Sequence, residues 1–260
     1  EKNTNDNRLF FFFFSQLGGE VSKKVMGWFQ VGYNVISGLE SDGYQGFSKF
    51  MFHTHEEGCE EALAFFHSLE LGFEHLETLE EEAIVPKDLP SELRAFWSKQ
   101  LTGKKTISLQ AVHHKYNRDG KIVGDEKFDV EEKESAGTRK LIDLAGPIFD
   151  TLKRGATLVV DELDAKMHPL ISMHIIKLFN SNEYNPHGAQ LVFSTHDTHL
   201  LSSKLLRRDQ IWFTEKDEKE QTDLYSMMDI VLPDGTKPRN DSNYEKNYIN
   251  GRYGAIPYIN

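Results

Sequence analysis

Two apolar stretches of the chain each end in polar side chains that can bind a metal ion or activate a water molecule. Thr157–Val160 leads into Asp161 and Glu162, and a second stretch leads to His196. A carboxylate at the end of a strand can hold Mg²⁺, and a second carboxylate beside it can orient an attacking water. A neutral imidazole at a neighbouring strand end can contact a phosphate group or that water. The sequence therefore predicts Asp161 as a metal ligand and Glu162 and His196 as catalytic residues.

The spacing of these residues favours one site over two unrelated turns. Glu162 and His196 are 196 − 162 = 34 residues apart, which is enough for a strand, a helix and a second strand. In such a unit the carboxyl ends of two parallel strands meet at one edge of the sheet. Each feature alone has a plainer interpretation, an exposed acidic turn for the carboxylates and a strand-end cap for the histidine. The combination favours the site.

A short polar segment stands before the helix that leads into this region. It reads Ser135-Ala-Gly137-Thr, followed by Arg139 and Lys140. A serine hydroxyl, a glycine N–H and a helix N-terminus together favour a phosphate group, so Ser135 and Gly137 are predicted to bind the cofactor. The alternative is that Ser135 is only the N-cap of its helix. Arg139 and Lys140 either help to hold phosphate or are solvated.

Asp164 follows the carboxylate pair directly and is a further candidate for contact with the cofactor. It lies in Leu163-Asp-Ala165, a loop between the strand and the next predicted helix. The alternative is that Asp164 caps the N-terminus of the helix predicted over 168–180.

Composition excludes several classes of protein. The 260 residues carry a formal net charge of −11, which argues against broad non-specific binding of nucleic acid but leaves a local basic groove open. Cys59 is the only cysteine, so no disulfide can form within the chain, and we expect a reducing, cytoplasmic location. The longest apolar run, Leu9–Phe14, is far too short for a membrane span.

The order of the elements predicts an α/β fold with a mostly parallel sheet. Strands are predicted at 157–161 and 190–195, with helices at 168–180 and 198–206. A further buried strand is predicted at 8–14, where five phenylalanines follow one another.

An acidic segment divides the chain into three regions. No lysine or arginine occurs between Glu56 and Val85, and apolar residues recur there at helical spacing. We therefore predict an inserted helical arm over 56–100. Residues 1–55 are predicted as part of the core sheet and helix, and residues 101–260 as the C-terminal lobe.

In this order the motifs resemble those of ABC/SMC-like P-loop ATPases from bacterial abortive-infection and phage-defence systems. The group includes AbiL-like ATPases and the ATPase subunits of Septu- and PARIS-type systems. Gly155–His196 carries the closest likeness, and Leu206–Trp212 and the tail Asn247–Pro257 also match. The chain resembles the C-terminal half of these proteins, over residues 105–257.

The resemblance implies a P-loop NTPase fold with ATP and Mg²⁺ as cofactors. It makes Asp161 the Mg²⁺ ligand in a Walker B strand, Glu162 the catalytic base and His196 the switch residue. Ser135 and Gly137 become a signature motif, a degenerate form of Leu-Ser-Gly-Gly-Gln, that binds the γ-phosphate held by a partner subunit.

The same resemblance implies partners. Asp164 would lie in a D-loop at the seam of an ATP-sandwich dimer or a higher oligomer. The ATPase would control an effector protein such as a nuclease, in answer to a phage trigger protein. No membrane partner is expected, and DNA remains an open alternative as a binding partner.

Three functions are consistent with these features. The first is an ATPase whose hydrolysis gates a defence effector. The second is a slowly hydrolysing, ATP-bound scaffold that sequesters the effector, which the degenerate signature favours. The third is an SMC-like DNA-repair ATPase, against which the tail and the net acidity count.

The phosphate-binding half of such a site is missing from this sequence. No Gly-x-x-x-x-Gly-Lys-Ser/Thr occurs in the 260 residues, and the first residue is Glu1. We therefore expect the chain to be the C-terminal part of a longer protein and to bind ATP weakly alone.

Overall fold

The computed structural model describes residues 19–83, 90–101, 103–232 and 235–256. The strand predicted over residues 8–14 and the last residue of the tail motif, Pro257, lie outside these ranges. The described helices are α1 (Glu20–Val31), α2 (Gln45–Thr54), α3 (Cys59–Ser68), α4 (Ser91–Leu101), α5 (Val130–Lys133), α6 (Ala136–Arg154), α7 (Pro169–Asn180) and α8 (Tyr244–Ile249). The strands are β1 (Tyr33–Ser37), β2 (His75–Glu82), β3 (Lys105–Tyr116), β4 (Ile122–Asp129), β5 (Thr157–Asp161), β6 (Gln190–Phe193), β7 (Trp212–Lys216) and β8 (Thr222–Ser226).

A parallel sheet in the order β1-β5-β6 confirms the predicted α/β class. Its central strand β5 has Leu158 and Val160 fully buried, as expected for a strand covered on both faces. The parallel register pairs Ser37 with Asp161 at the end of β1, and Val160 with Phe193 at the end of β6. The segments that follow these strands therefore emerge at one edge.

Helix α6 packs on β5 and connects the signature segment to the parallel sheet. It runs unbroken through Pro147, although proline has no N–H to bond the carbonyl of Asp143 four residues earlier. The Ser48 hydroxyl of α2 donates to that carbonyl instead and accepts from the N–H of Gly146, at 3.0 Å. The packing of α2 against α6 thus replaces the hydrogen bond that Pro147 removes.

The predicted helical arm over 56–100 needs a correction in its middle. Helices α3 and α4 occupy its two ends, but His75–Glu82 forms strand β2. Strand β2 pairs antiparallel with β3, where Lys105 and, from the next strand, Lys127 neutralise two of its glutamates. This long-range pairing overrides the local pattern of the acidic residues.

The first part of the acidic segment belongs to the main core. Ala62, Phe65 and Phe66 of α3 are buried, and the ring of Phe65 lies 6.0 Å from that of Phe149 in α6. The three-region division of the chain remains a prediction.

Strands β2, β3 and β4 form a second sheet, which is antiparallel. A turn at Asn117–Gly120 joins β3 to β4, and the Asn117 side chain accepts hydrogen bonds from two backbone N–H groups there. Helix α2 packs against β2 and β3 as well as against α6, so it connects the two sheets.

The C-terminal residues form a smaller cluster around the β7–β8 hairpin. Its buried members are Ile211, Phe213, Met227, Tyr244 and Tyr253. The helix predicted over 198–206 is only a 3₁₀ turn at Thr198–Leu200, because the backbone leaves the helical region at Leu201, where ψ is +71°. Asp197 caps the start of the turn, and Leu200 is buried in the main core. Within the described ranges, no helix is both long enough and apolar enough to cross a bilayer.

Candidate functional site

The predicted catalytic residues meet at the ends of β5 and β6, and a serine holds them together. The Ser194 hydroxyl donates to Asp161 Oδ1 at 2.6 Å and accepts from the Glu162 N–H at 2.7 Å. The backbone of Ser194 bonds to both sides of the same strand end, donating to Val160 O and accepting from Leu163 N–H, each at 3.0 Å. We call Asp161, Glu162, Ser194 and His196 the β5–β6 edge.

Glu162 has an unusual backbone that re-aims its carboxylate. Its φ is +56°, in the left-handed region that a non-glycine residue adopts only when its surroundings impose it. The side chain is partly exposed, and Glu162 Oε1 lies 3.7 Å from Nε2 of the exposed His196. A water molecule between them would contact both a carboxylate and an imidazole.

The turn after β1 touches the other side of this strand end. Gly38 donates its N–H to Asp161 O at 2.5 Å. A Cβ on Gly38 would lie 1.9 Å from Glu162 O, so only glycine allows this approach. Gly38 therefore fixes the peptide between the two carboxylates from the side opposite Ser194.

Ser135 caps helix α6, as the alternative interpretation of the sequence proposed. Its hydroxyl accepts from Thr138 N–H at 3.1 Å and lies 2.9 Å from Thr138 Oγ1. Ser135 stays exposed, so its hydroxyl and the N-terminus of α6 face open space. Just before it, the partly buried Glu134 carboxylate lies 2.8 Å from His113 Nε2 on β3, which attaches this segment to the antiparallel sheet.

Gly137 lies against the loop that carries Asp164. A Cβ on Gly137 would be 2.9 Å from Lys166 O, so the two backbones are in close contact within one chain. Asp164 does not cap α7; that cap is His168, whose Nδ1 accepts from Leu170 N–H at 3.2 Å. Asp164 Oδ1 is buried and has no hydrogen-bond partner within the described ranges.

Lys140 is buried rather than solvated, and its ammonium group is bonded to residues at and beyond the end of β1. Its side chain is 3 % exposed, and Nζ donates to the Tyr44 hydroxyl and, at 3.3 Å, to Ser37 O. Burial lowers the pKa of Lys140 to about 8, and the nearby Asp143 opposes that shift. Burial also raises the pKa of Asp143. Arg139 instead donates to Glu131 O at 2.6 Å.

The donors at the β5–β6 edge fit a magnesium ion. Mg²⁺ is usually held by one or two carboxylates, with phosphate oxygens and waters filling the other positions. Asp161 is exposed, and none of the described lysines or arginines forms an ion pair with it or with Glu162. Among the described residues, no group of three or more His, Cys, Asp or Glu side chains is arranged so that it could hold a metal ion by itself.

Sequence reasoning missed Ser194 and Gly38. Ser194 had a visible signal, a hydroxyl directly after the apolar strand β6 and level with Asp161. Gly38 had none, because its role depends on the pairing of β1 with β5 across more than a hundred residues.

Comparison with known families agrees with this geometry. The parallel sheet and its polar strand ends are consistent with a P-loop NTPase fold. Residues 61–202, more than half of the 260, match the family described as "AAA domain, putative AbiEii toxin, Type IV TA system". The chain belongs to this family. A comparison with curated proteins gave no match.

Proposed function

We propose that this chain is the hydrolytic part of an ATPase of an anti-phage abortive-infection system. The observation that carries the proposal is the Ser194 hydroxyl, which holds the Asp161 carboxylate and the Glu162 amide at adjacent strand ends. A pair of carboxylates so positioned, without a lysine or arginine partner in the described chain, is suited to a metal-bound phosphate and a water.

Each residue of the β5–β6 edge has a proposed part in hydrolysis. Asp161 would hold Mg²⁺, which neutralises charge on the phosphate oxygens when it is bound. Glu162 would accept a proton from the attacking water and keep that water in line. His196 would contact the γ-phosphate, and Ser194 would hold the Asp161 carboxylate and the Glu162 backbone amide in place.

The signature segment would act on a second subunit. Ser135 and Gly137 stand at an exposed helix N-terminus, which is a favourable place for a phosphate group. Asp164 lies in the loop that packs against Gly137, where a D-loop at the seam between two subunits would stand. We infer an ATP-sandwich dimer or a higher oligomer.

The proposed control of an effector protein rests on the family to which the chain belongs. The matched family is named for a toxin and a toxin–antitoxin system, and the order of the motifs resembles that of AbiL-like, Septu-type and PARIS-type ATPases. We propose a cytoplasmic subunit that controls an effector protein such as a nuclease, with a phage protein as trigger.

A slowly hydrolysing scaffold is the second candidate. The Ser135 hydroxyl already serves its own helix as N-cap, which weakens it as a ligand for a partner's phosphate. Single-turnover hydrolysis by the full-length protein separates the two: a rate too slow to measure favours the scaffold. Hydrolysis stimulated by DNA would instead favour an SMC-like DNA-repair ATPase.

Mixing two inactive variants of the full-length protein tests the proposed site. Ser135→Arg should retain ATP on its own subunit but block ATP-dependent association, because a bulky cation replaces the hydroxyl. Glu162→Gln should bind ATP without hydrolysing it. In a mixed dimer one composite site has both an intact base and an intact signature, so about half of the activity per dimer should return.

The control is Asn243→Arg, which places the same cation on the N-cap of α8, far along the chain in the C-terminal cluster. It should associate and hydrolyse normally. Mixed dimers that form without regaining activity would contradict the arrangement across subunits. Ser135 would then be an ordinary helix cap.

A further inference from the structure

We propose that the Ser37–Leu39 turn is a positioning hub that connects the signature helix of a subunit to its own carboxylate pair. The inference rests on the proposed function. In an ATP-sandwich dimer the signature of a subunit belongs to one composite site and its carboxylates to the other. A connection between them within one chain would couple the two sites.

The first contact of the turn is with β5. Ser37 is level with Asp161 in the parallel register, and the Gly38 N–H bonds to Asp161 O at 2.5 Å. Since a Cβ on Gly38 would overlap Glu162 O, the two backbones are in direct contact. A displacement of the turn therefore displaces the peptide between Asp161 and Glu162.

The second contact is with α6. Lys140 lies on the second turn of this helix, and its ammonium group donates to Ser37 O and to the Tyr44 hydroxyl. Tyr44 in turn donates to Ser37 O at 3.1 Å. Lys140 and Tyr44 are both buried, so neither hydrogen bond can be exchanged readily for one to water.

The third contact is with the loop that carries Asp164. Lys166 Nζ donates to Leu39 O at 3.1 Å, and the backbone of Lys166 lies against Gly137 of the signature segment. Lys166 has a φ of +62°, so this loop is held in a conformation that it would not adopt unaided. Signature segment, loop and turn thus form a closed ring of contacts.

The turn itself is rigid enough to transmit a displacement. The Ser37 hydroxyl accepts from the N–H groups of Leu39 and Glu40, at 3.1 and 3.4 Å. Lys140 and Lys166 donate to backbone carbonyls of the turn rather than to carboxylates. They therefore hold the backbone of the turn in position. A shift of α6 by about 1 Å would break a bond of this length.

Two variants of the full-length protein test the hub. Lys140→Met keeps the length and the apolar stem of the side chain and removes its donors, and Tyr44→Phe removes one hydroxyl. The matched control is Lys177→Met, because Lys177 is exposed on α7. Hydrogen–deuterium exchange is measured over residues 37–40 and 161–166, and ATP hydrolysis is measured against ATP concentration.

For Lys140→Met we expect exchange in both segments to rise on the order of tenfold, since a buried hydrogen bond from a charged donor is lost. Exchange over β7 and β8 should not change. We also expect kcat to fall and the Hill coefficient for ATP to approach 1, with a smaller change in the same direction for Tyr44→Phe. The control should match the wild type.

Two results would overturn the inference. Unchanged exchange over 161–166 would show that α6 and the carboxylate pair are mechanically independent. Increased exchange with an unchanged Hill coefficient would make the turn a structural contact only. If Lys140→Met does not fold, Tyr44→Phe decides both points. A wild-type protein that does not hydrolyse ATP would refute the proposed function, and its exchange data would still test the connection.

Discussion

The acidic residues of this chain are treated differently in its two large sheets. At the β5–β6 edge, Asp161 and Glu162 are held by a hydroxyl and by backbone groups, and no ion pair with a described lysine or arginine neutralises them. On the antiparallel sheet, Glu77 and Glu80 are each paired with a lysine, at 2.5 Å, and with a histidine.

The carboxylates at the β5–β6 edge are thus available to bind a cation, whereas Glu77 and Glu80 are already paired with lysines of the same chain. The lysines lower the pKa values of Glu77 and Glu80, so each of these carboxylates already has a neutralising cation within the chain. At the parallel edge, orientation comes from neutral donors, so the negative charge remains for an incoming cation. The net charge of −11 alone would not separate the two groups.

The largest effect is expected from Glu162→Gln in the full-length protein. The amide keeps the size of the side chain but cannot accept a proton, so hydrolysis should fall about 10²–10⁴-fold while ATP binding is retained. Steady-state hydrolysis and ATP titration measure the two quantities. Glu80→Gln, the same change on the antiparallel sheet, should leave hydrolysis unchanged. Turnover near the wild-type rate in Glu162→Gln would show that Glu162 is not the catalytic base.

A smaller effect is expected from Ser194→Ala. Loss of the hydroxyl releases Asp161 Oδ1 and the Glu162 N–H together, and removing such a supporting group typically costs about 10–100-fold in activity. The matched control is Ser108→Ala, whose hydroxyl reaches only Leu79 O on the antiparallel sheet, at 3.5 Å. Equal hydrolysis by both variants would mean that the edge does not depend on neutral donors.

The parts of the fold that the sequence predicted are those governed by local pattern. Strand 157–161 and helix 168–180 agree with β5 and α7 because apolar period and caps define them. Glu162 and His196 come within 3.7 Å because parallel strand ends must meet at one edge.

The parts that it missed depend on contacts distant in the chain. Strand β2 is acidic and gains its lysine partners only from β3 and β4. Lys140 is buried because Tyr44 and Ser37 offer acceptors, 96 and 103 residues away in the chain. Neither the lysine partners of β2 nor the acceptors of Lys140 can be inferred from composition or from the spacing of apolar residues.

The smallest effect is expected from the pH dependence of the antiparallel sheet. Asp125, followed by Glu74, raises the pKa of His114 above 6.5. The ion pair therefore stabilises the sheet fully below pH 6.5, and that stabilisation is lost as the pH rises through the raised pKa. The free energy of unfolding of wild type relative to His114→Gln should fall over this range, with no change in hydrolysis. A difference that does not vary with pH would contradict the pairing.

Position 38 tolerates no residue other than glycine without a clash with β5 and the residue after it. A single base change in a glycine codon is either synonymous, a stop, or a replacement by a residue with a Cβ, and every such replacement would put that Cβ 1.9 Å from Glu162 O. Gly43 and Gly46, a few codons away, have nothing within 4 Å of such a Cβ. In a library of random single-base variants selected for function, codon 38 should therefore be depleted of replacements, while codons 43 and 46 retain them.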